Sequence, residues 1–280
     1  MNPTLHRILA YRLPTEAATW LEGKLRSLTT DFTVRSFYLN FGACSRFLGA
    51  EPLPLTEADY SSLTAIYPNF PATEWTADEL GRILLMTALP AEDNQRILDE
   101  FFRTADYRES MALYRGLYLL PNAADFAGRA REGLRTNMVG VFDAIALENP
   151  YPAAYLSQDA WNHMVLKAMF MERPIYRIYR IEDRKNEKLA GIFMDYAEER
   201  WSAHRPVSPE LWRFVAGYVD DRSLPGLQRT IAEGNEWERR AAARAIRESE
   251  HADALRWLEA QGLGLGELPD WNEIGRAVRA

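Results

Sequence analysis

Residues 149–212 of this 280-residue chain concentrate the side chains with which a protein holds or transforms a small molecule. Trp161, Tyr176, Tyr196 and Trp201 supply flat apolar faces. Asn162, Arg177, Arg184, Glu199 and Arg200 supply groups that orient a ligand, and Lys167 supplies a point charge. Trp, Tyr and Arg are enriched at binding hot spots, and a mainly apolar groove with a few convergent polar groups is the usual form of a small-molecule site. Asp195 and Glu199 stand four apart, a spacing at which carboxylates share a proton or meet an arginine of a neighbouring helix, such as Arg177 or Arg184. Two functional readings follow: a scaffold or carrier that binds a partner protein, a hydrophobic metabolite, or both, through a groove built around residues 157–212, or an enzyme with Asp195 and Glu199 as acid and base. The bland alternatives are an ion-pair network for the two carboxylates, a core aromatic for Trp161 and a solvated charge for Lys167.

Other chemistries are poorly served. The four histidines, His6, His163, His204 and His251, are far apart. Glu248 and His251 form an E-x-x-H, but a di-iron centre wants a second such pair and two further glutamates, so His251 reads as a surface residue at a helix start. Cys44, the only cysteine, excludes an internal disulfide and a Cys-rich zinc site. It reads as a buried inert thiol, since Arg46 has the wrong helical offset to activate it. Asp220-Asp221 lacks the third aspartate of a diphosphate-binding D-D-x-x-D, and the glycines of 262–266 follow no strand, which makes them a flexible connector. No metal or cofactor is expected. The net charge of −7 argues against nucleic acid, because a phosphate-backbone binder needs a positive face. A HEAT-like nucleic-acid binder fits the fold but not that charge. The 29 Arg against 4 Lys are spread along the whole chain, which points to codon bias more than to anion recognition.

The elements that must position these residues read as helices throughout. Apolar residues recur at helical spacing between Pro, Gly, Asn and Asp punctuation, and no segment alternates as a strand does. The spacing predicts a helix from Pro14 and Thr15 burying Ala18, Leu21, Leu25 and Leu28, then one from Asp31 carrying Phe32, Tyr38, Phe41 and Phe47. Further helices are predicted over about 56–66, 76–89, 91–105, 107–120, 124–136 and 138–148. T-A-D-E at 76–79 has the form of a capping box. Asn149-Pro150-Tyr151-Pro152 should be an irregular loop, since proline removes a donor and pushes its predecessor out of the helical region. Ser157 should cap a helix burying Met164, Val165, Ala168 and Met169. The Y-R-I repeat of 176–181 should bury Ile175, Ile178 and Ile181 on one stripe, with one arginine free to meet Asp183. Leu189, Ile192, Phe193, Tyr196 and Arg200 imply a long helix over 186–204. Toward the end, Leu224, Leu227 and Ile231, then Trp237, Ala241, Ala242, Ala245 and Ile246, then Leu255 and Leu258 read as stacked pairs of HEAT type, with alanines allowing close approach. The expected fold is therefore all-α, a HEAT-like α-solenoid or right-handed superhelix in a single domain over 1–280. Its parts are an N-terminal helical part (1–148), a central block (149–212) and a HEAT-like C-terminal part (213–280); an irregular helical bundle is the fallback.

The central strings N-P-Y-P-A-A-Y-L-S-Q-D-A-W-N-H-M-V-L-K-A-M-F, Y-R-I, D-R-x-N, D-Y-A-E-E-R-W and V-S-P-E-L-W resemble the EboA family of bacterial metabolite traffic proteins, strongly over 149–212 and more weakly through the tail. Residues 1–147 contribute no motif to this likeness. The resemblance implies a cytoplasmic protein encoded with other ebo-cluster products, among them a prenyltransferase-like membrane protein. It implies a part in moving a secondary-metabolite precursor toward the cell envelope; a peripheral place at the inner membrane through a partner stays open, since a scaffold of this kind needs no anchor of its own. The family supplies no catalytic residue to carry over. The start M-N-P-T-L-H-R-I-L-A-Y-R shows no secretory signal, and the longest charge-free stretch, 60–73, carries two prolines and falls short of the ~20 apolar residues of a membrane span.

Overall fold

The computed structural model describes residues 1–71, 75–262 and 266–279. Leu263, Gly264 and Leu265 of the glycine-rich run, and residues 72–73 of the charge-free stretch, lie outside the described residues. Among the described residues the chain is all-helical without a strand, and no helix is long and apolar enough to cross a membrane. It divides into two compact units, Met1–Trp161 and Asn162–Ala280.

The first unit contains α1 (Pro3–Arg12), α2 (Thr15–Thr30), α3 (Val34–Leu48), α4 (Glu57–Ile66), α5 (Ala77–Thr87), α6 (Asn94–Phe101), α7 (Tyr107–Gly116), α8 (Ala127–Gly133), α9 (Val139–Ala146) and α10 (Pro150–Tyr155). Its axis is α5, every residue of which is buried, with α3, α7 and α1 packed around it. Gly81 makes the α3 contact possible: a Cβ there would stand 2.1 Å from Leu48 Cδ1. Phe101 closes the floor by meeting Phe41 edge-on at 4.9 Å and stacking on Tyr38 at 4.5 Å.

A wholly buried helix carrying Asp78, Glu79 and Arg82 must match each charge internally, because an unpaired ion is too costly in a low dielectric. Arg82 reaches Asp78 at 2.6 Å, Ser45 Oγ at 2.8 Å and the Phe41 carbonyl at 3.2 Å. Arg115 of α7 holds both Glu79 oxygens, at 2.8 and 2.7 Å, and its guanidinium lies 5.5 Å from the centre of the Trp75 ring. Burial still outweighs Arg115 and leaves the Glu79 carboxyl above its ordinary range. These demands break the expected capping box. α5 does start after Thr76, but Thr76 Oγ1 donates to Asp78 and Glu79 is taken by Arg115. The first N–H groups go to chain carbonyls instead, Ala77 to Glu51 and Asp78 to Gly49, each at 3.0 Å.

Other expectations shift for equally local reasons. α2 buries Ala17 in place of Ala18, and α3 begins after Thr33 with Phe37 and Phe41 inward, leaving Phe47 exposed against Trp20. The segments at 107–120 and 124–136 each divide into an α-helix and a short tighter turn. The proline pair at 150 and 152 opens α10 and does not form a loop. Asn149 caps it by accepting the Tyr151 N–H at 2.9 Å, and proline in a first turn gives up only donors that have no helical partner. Cys44 is fully buried, and burial pushes its thiol up to about 12.

The second unit holds the remainder of α11 (Gln158–Phe170), then α12 (Glu187–Ser202), α13 (Trp212–Val215), α14 (Leu224–Glu233), α15 (Glu236–Arg247), α16 (Ala252–Ala260) and α17 (Trp271–Ala277). Ser157 Oγ caps α11 at Ala160 N, 3.3 Å, and Met164, Val165, Ala168 and Met169 are buried as their spacing predicts. The Y-R-I segment begins in a short 3₁₀ turn, Ile175–Arg177, passes through Arg180 at φ 55° and leads into a second such turn, Glu182–Arg184. Its three-residue period still buries Ile175, Ile178 and Ile181, and Arg180 pairs with Asp183. α14 and α15 form a hairpin, Ala241, Ala242 and Ala245 are buried, and His251 caps α16 by accepting the Ala254 N–H.

The buried pair under Trp75 generates a stability prediction. Arg115→Met strands Glu79 as an unpaired buried carboxylate and should lose about 3–5 kcal/mol in urea unfolding. The double variant Glu79→Met/Arg115→Met should recover most of that loss. Equal losses in the single and double variants would mean that the pair is not what the helix depends on.

Candidate functional site

The second unit carries a groove of about 620 Å³. One wall comes from the end of α11 (Met169, Glu172), the exposed side of α12 (Tyr196, Arg200) and residues 206–209. The other comes from residues 235–238 and from Ala277, Val278 and Arg279.

Each wall ends in a fully hydrogen-bonded turn. After α11, Glu172 takes a left-handed conformation (φ 53°), its N–H reaching Met169 O at 3.0 Å while Arg173 N–H reaches Ala168 O at 2.8 Å. α12 closes the same way: His204 (φ 55°) bonds Trp201 O at 3.0 Å and Arg205 bonds Arg200 O at 2.8 Å. This paired pattern satisfies the last carbonyls of a helix. On the facing wall Asn235 Oδ1 accepts from Trp237 and Glu238 at 2.9 and 3.0 Å, and Glu238 Oε2 accepts from Asn235 N at 2.7 Å, a complete capping box. Residues 235–238 are thus a rigid first turn of α15.

Beneath the groove lies Glu210, 1% exposed. Arg279 binds its Oε2 at 2.8 Å and also donates to the carbonyls of Glu172 (2.7 Å) and Arg173 (2.5 Å), fastening the segment after α17 to the turn after α11. Gly275 lets α17 approach, since a Cβ there would stand 2.6 Å from Glu210 Oε1 and 2.7 Å from Tyr176 Cδ1. Arg213, almost fully buried, bonds Glu182 and Asn272, the latter at 2.8 Å. Burial raises the Glu210 carboxyl above its ordinary range, more than Arg279 and Arg213 lower it. At Glu182 the balance reverses: burial pushes up, but Arg213 and Lys185 outweigh it and hold the carboxyl below that range.

Of the ten residues singled out in the sequence, Tyr196 and Arg200 line this groove. Trp161 is fully buried and presents no face to a guest. Asn162 is spent on structure, exchanging amide bonds of 3.2 and 2.9 Å with Asn186, the cap of α12. Trp201 faces away, against Gly226 and under Arg229 at 5.0 Å. Tyr176 packs on Gly275. Lys167, Arg177 and Arg184 are half-buried, and desolvation lowers the pKa of Lys167 and of Arg184. Glu199 is exposed, as is Asp195 at 69%, and Arg222 of a neighbouring segment pairs with Asp195. The inter-helix arginine partner expected for that carboxylate is therefore Arg222, in place of Arg177 or Arg184. Neither carboxylate lines the groove.

Sequence reasoning missed the other wall and the buried ions. Glu210 and Arg213 sit in P-E-L-W-R-F-V, a run otherwise apolar, and that contrast was the signal for two buried charges.

Removing Arg279 tests this floor. Arg279→Ala takes away a cation that lowers Glu210 and frees two carbonyls, so about 2–5 kcal/mol of stability should be lost. A raised carboxyl favours the fold at low pH, and that contribution fades as pH rises through the folded value. The variant raises Glu210 further, so its deficit in urea unfolding should be larger at about pH 7 than at about pH 5. A deficit that is constant or shrinks with pH would contradict the arrangement.

No curated protein and no solved structure matches the chain. The family described as "Metabolite traffic protein EboA" matches residues 1–216, which takes in the N-terminal residues that carry no recognised motif and ends before α14. With more than three quarters of its length matched, the chain belongs to the EboA family of metabolite traffic proteins.

Proposed function

We propose that this protein is a non-catalytic helical carrier in metabolite traffic, and that the groove between α11–α12 and α15–α17 holds the traveller, a secondary-metabolite precursor with an apolar body. The groove itself carries this reading. Its volume of about 620 Å³ suits a small organic molecule, and its lining mixes Met169, Tyr196, Val207, Trp237 and Val278 with a few charged groups. Phe170, more than half exposed and edge-on to Tyr196 at 4.9 Å, extends the apolar rim. The α14–α15 hairpin with its buried alanines supports reading 213–280 as a HEAT-like pair that serves as scaffold for one wall. The family name supports a part in metabolite traffic; work in the cytoplasm beside a membrane prenyltransferase-like partner of the ebo cluster belongs to this proposal.

The acid–base alternative draws no support from the geometry. Asp195 is engaged by Arg222, which also meets Glu198 at 3.5 Å, Glu199 is exposed, and neither Asp195 nor Glu199 lines the groove.

Tyr196→Ala and Trp237→Ala should each lower metabolite movement to the envelope several-fold in the producing cell while shifting the melting temperature little, since both side chains are half-exposed. Trp161→Ala should behave oppositely, losing about 3–5 kcal/mol of stability because a fully buried indole is deleted. Unchanged movement in both groove variants would overturn the carrier reading. So would a new product mass when the purified protein is incubated with the precursor.

A further inference from the structure

Most charged groups on the groove are committed to the protein itself. Arg240 holds Glu236 at 2.7 Å, Glu238 caps the Asn235 N–H, and Arg279 is divided between two carbonyls and Glu210. Arg200 differs. Only its Nε is used, donating to Pro206 O at 2.9 Å, and its two terminal nitrogens have no protein partner among the described residues. The guanidinium carbon lies 5.9 Å from the centre of the Tyr196 ring, which Phe170 braces edge-on at 4.9 Å. An arginine clamped at Nε and over a ring offers a planar two-donor edge in a fixed place. Such an edge matches a carboxylate and loses little side-chain freedom on binding.

We propose that the groove recognises a ligand whose flat apolar body ends in a single carboxylate, with the two oxygens on the terminal nitrogens of Arg200 and the body along Tyr196 toward Trp237. This rests on the carrier reading and gives it a substrate class. The remaining charges set the limit on the head group. Of the carboxylates on the groove, Glu236 is held by Arg240 and Glu238 by the Asn235 N–H, so a dianionic phosphate would set two charges against one uncommitted guanidinium beside Glu172, whereas a monoanion is matched one to one with Arg200. An ammonium head would lose the arginine and face its repulsion, with the exposed Glu172 carboxylate as the counter-charge left uncommitted among the described residues.

The test uses the full-length protein and three probes with one body and different heads: 2-naphthylacetate, 2-(2-naphthyl)ethanol and 2-(2-naphthyl)ethylamine. In calorimetric titrations the carboxylate should bind at least about ten-fold more tightly than the alcohol, and the amine most weakly. Arg200→Gln should erase the preference for the carboxylate over the alcohol and leave alcohol affinity within about two-fold. Arg200→Lys should restore only part of the preference, because a point charge lacks the fork. Equal binding of carboxylate and alcohol by the parent protein, or a preference that survives Arg200→Gln, overturns the head-group assignment while the groove reading stands. Failure of all three probes to bind overturns both. The parent's ranking of heads needs no variant, so a misfolded substitution leaves the proposal decidable.

Discussion

A carboxylate sealed under the groove dictates how this end of the molecule is assembled. Glu210 sits in a run of buried apolar residues with almost no access to water, and burial of an anion is tolerable only beside cations with matched geometry. Arg279 supplies one from the far end of the unit and Arg213 another from α13, and each brings further structure with it. Arg279 ties the segment after α17 to the carbonyls exposed by the left-handed turn at Glu172, and Arg213 ties Glu182 and Asn272 to the same floor. Through Arg279 this charge fastens Glu172 and the segment after α17 together, and both line the groove.

The same logic operates in the first unit with a different outcome. There α5 is buried along its whole length, and its charges are matched inside the packing by Arg82 and Arg115. Hydrogen bonds and rings close over them, and the two carboxylates, Asp78 and Glu79, are left without a route to a guest. In the second unit Arg200 stands at a groove with its Nε bonded and the N–H groups of both terminal nitrogens unspent among the described residues. The contrast between buried, ion-paired arginines and one that stands at a groove without an ion pair among the described residues separates structural charges from a recognition element, which composition alone does not do in a chain with 29 arginines.

Much of the fold was legible because its determinants are local. Periodicity and capping residues located α2 to α9, and spacing alone gives the buried face of α11 and those of α14 and α15 except for Leu224 and Trp237, which are half-buried, Trp237 on the groove. Where the reading went astray, a longer-range demand prevailed. Glu79 left its cap for Arg115 on another helix, and the prolines of α10 were harmless because they fell in a first turn. The site was legible only in part for the same reason. Tyr196 and Arg200, four apart on one helix, were found together, but Trp161 and Asn162 proved to be interior packing and a helix-cap bridge. The wall from Asn235, Trp237 and Val278 lies 23 or more residues downstream of the central block, and nothing local announces that it folds against α12. The central block therefore named one half of a groove whose other half comes from beyond the family-matched residues.

The most direct measurement is native mass spectrometry of the protein isolated gently from cells that make the metabolite. The account predicts one small molecule bound per chain, lost when Val278→Trp fills the groove mouth in a protein that still folds. A chain that emerges without a passenger, or one whose passenger survives that substitution, would contradict the claim that this groove is where the cargo travels.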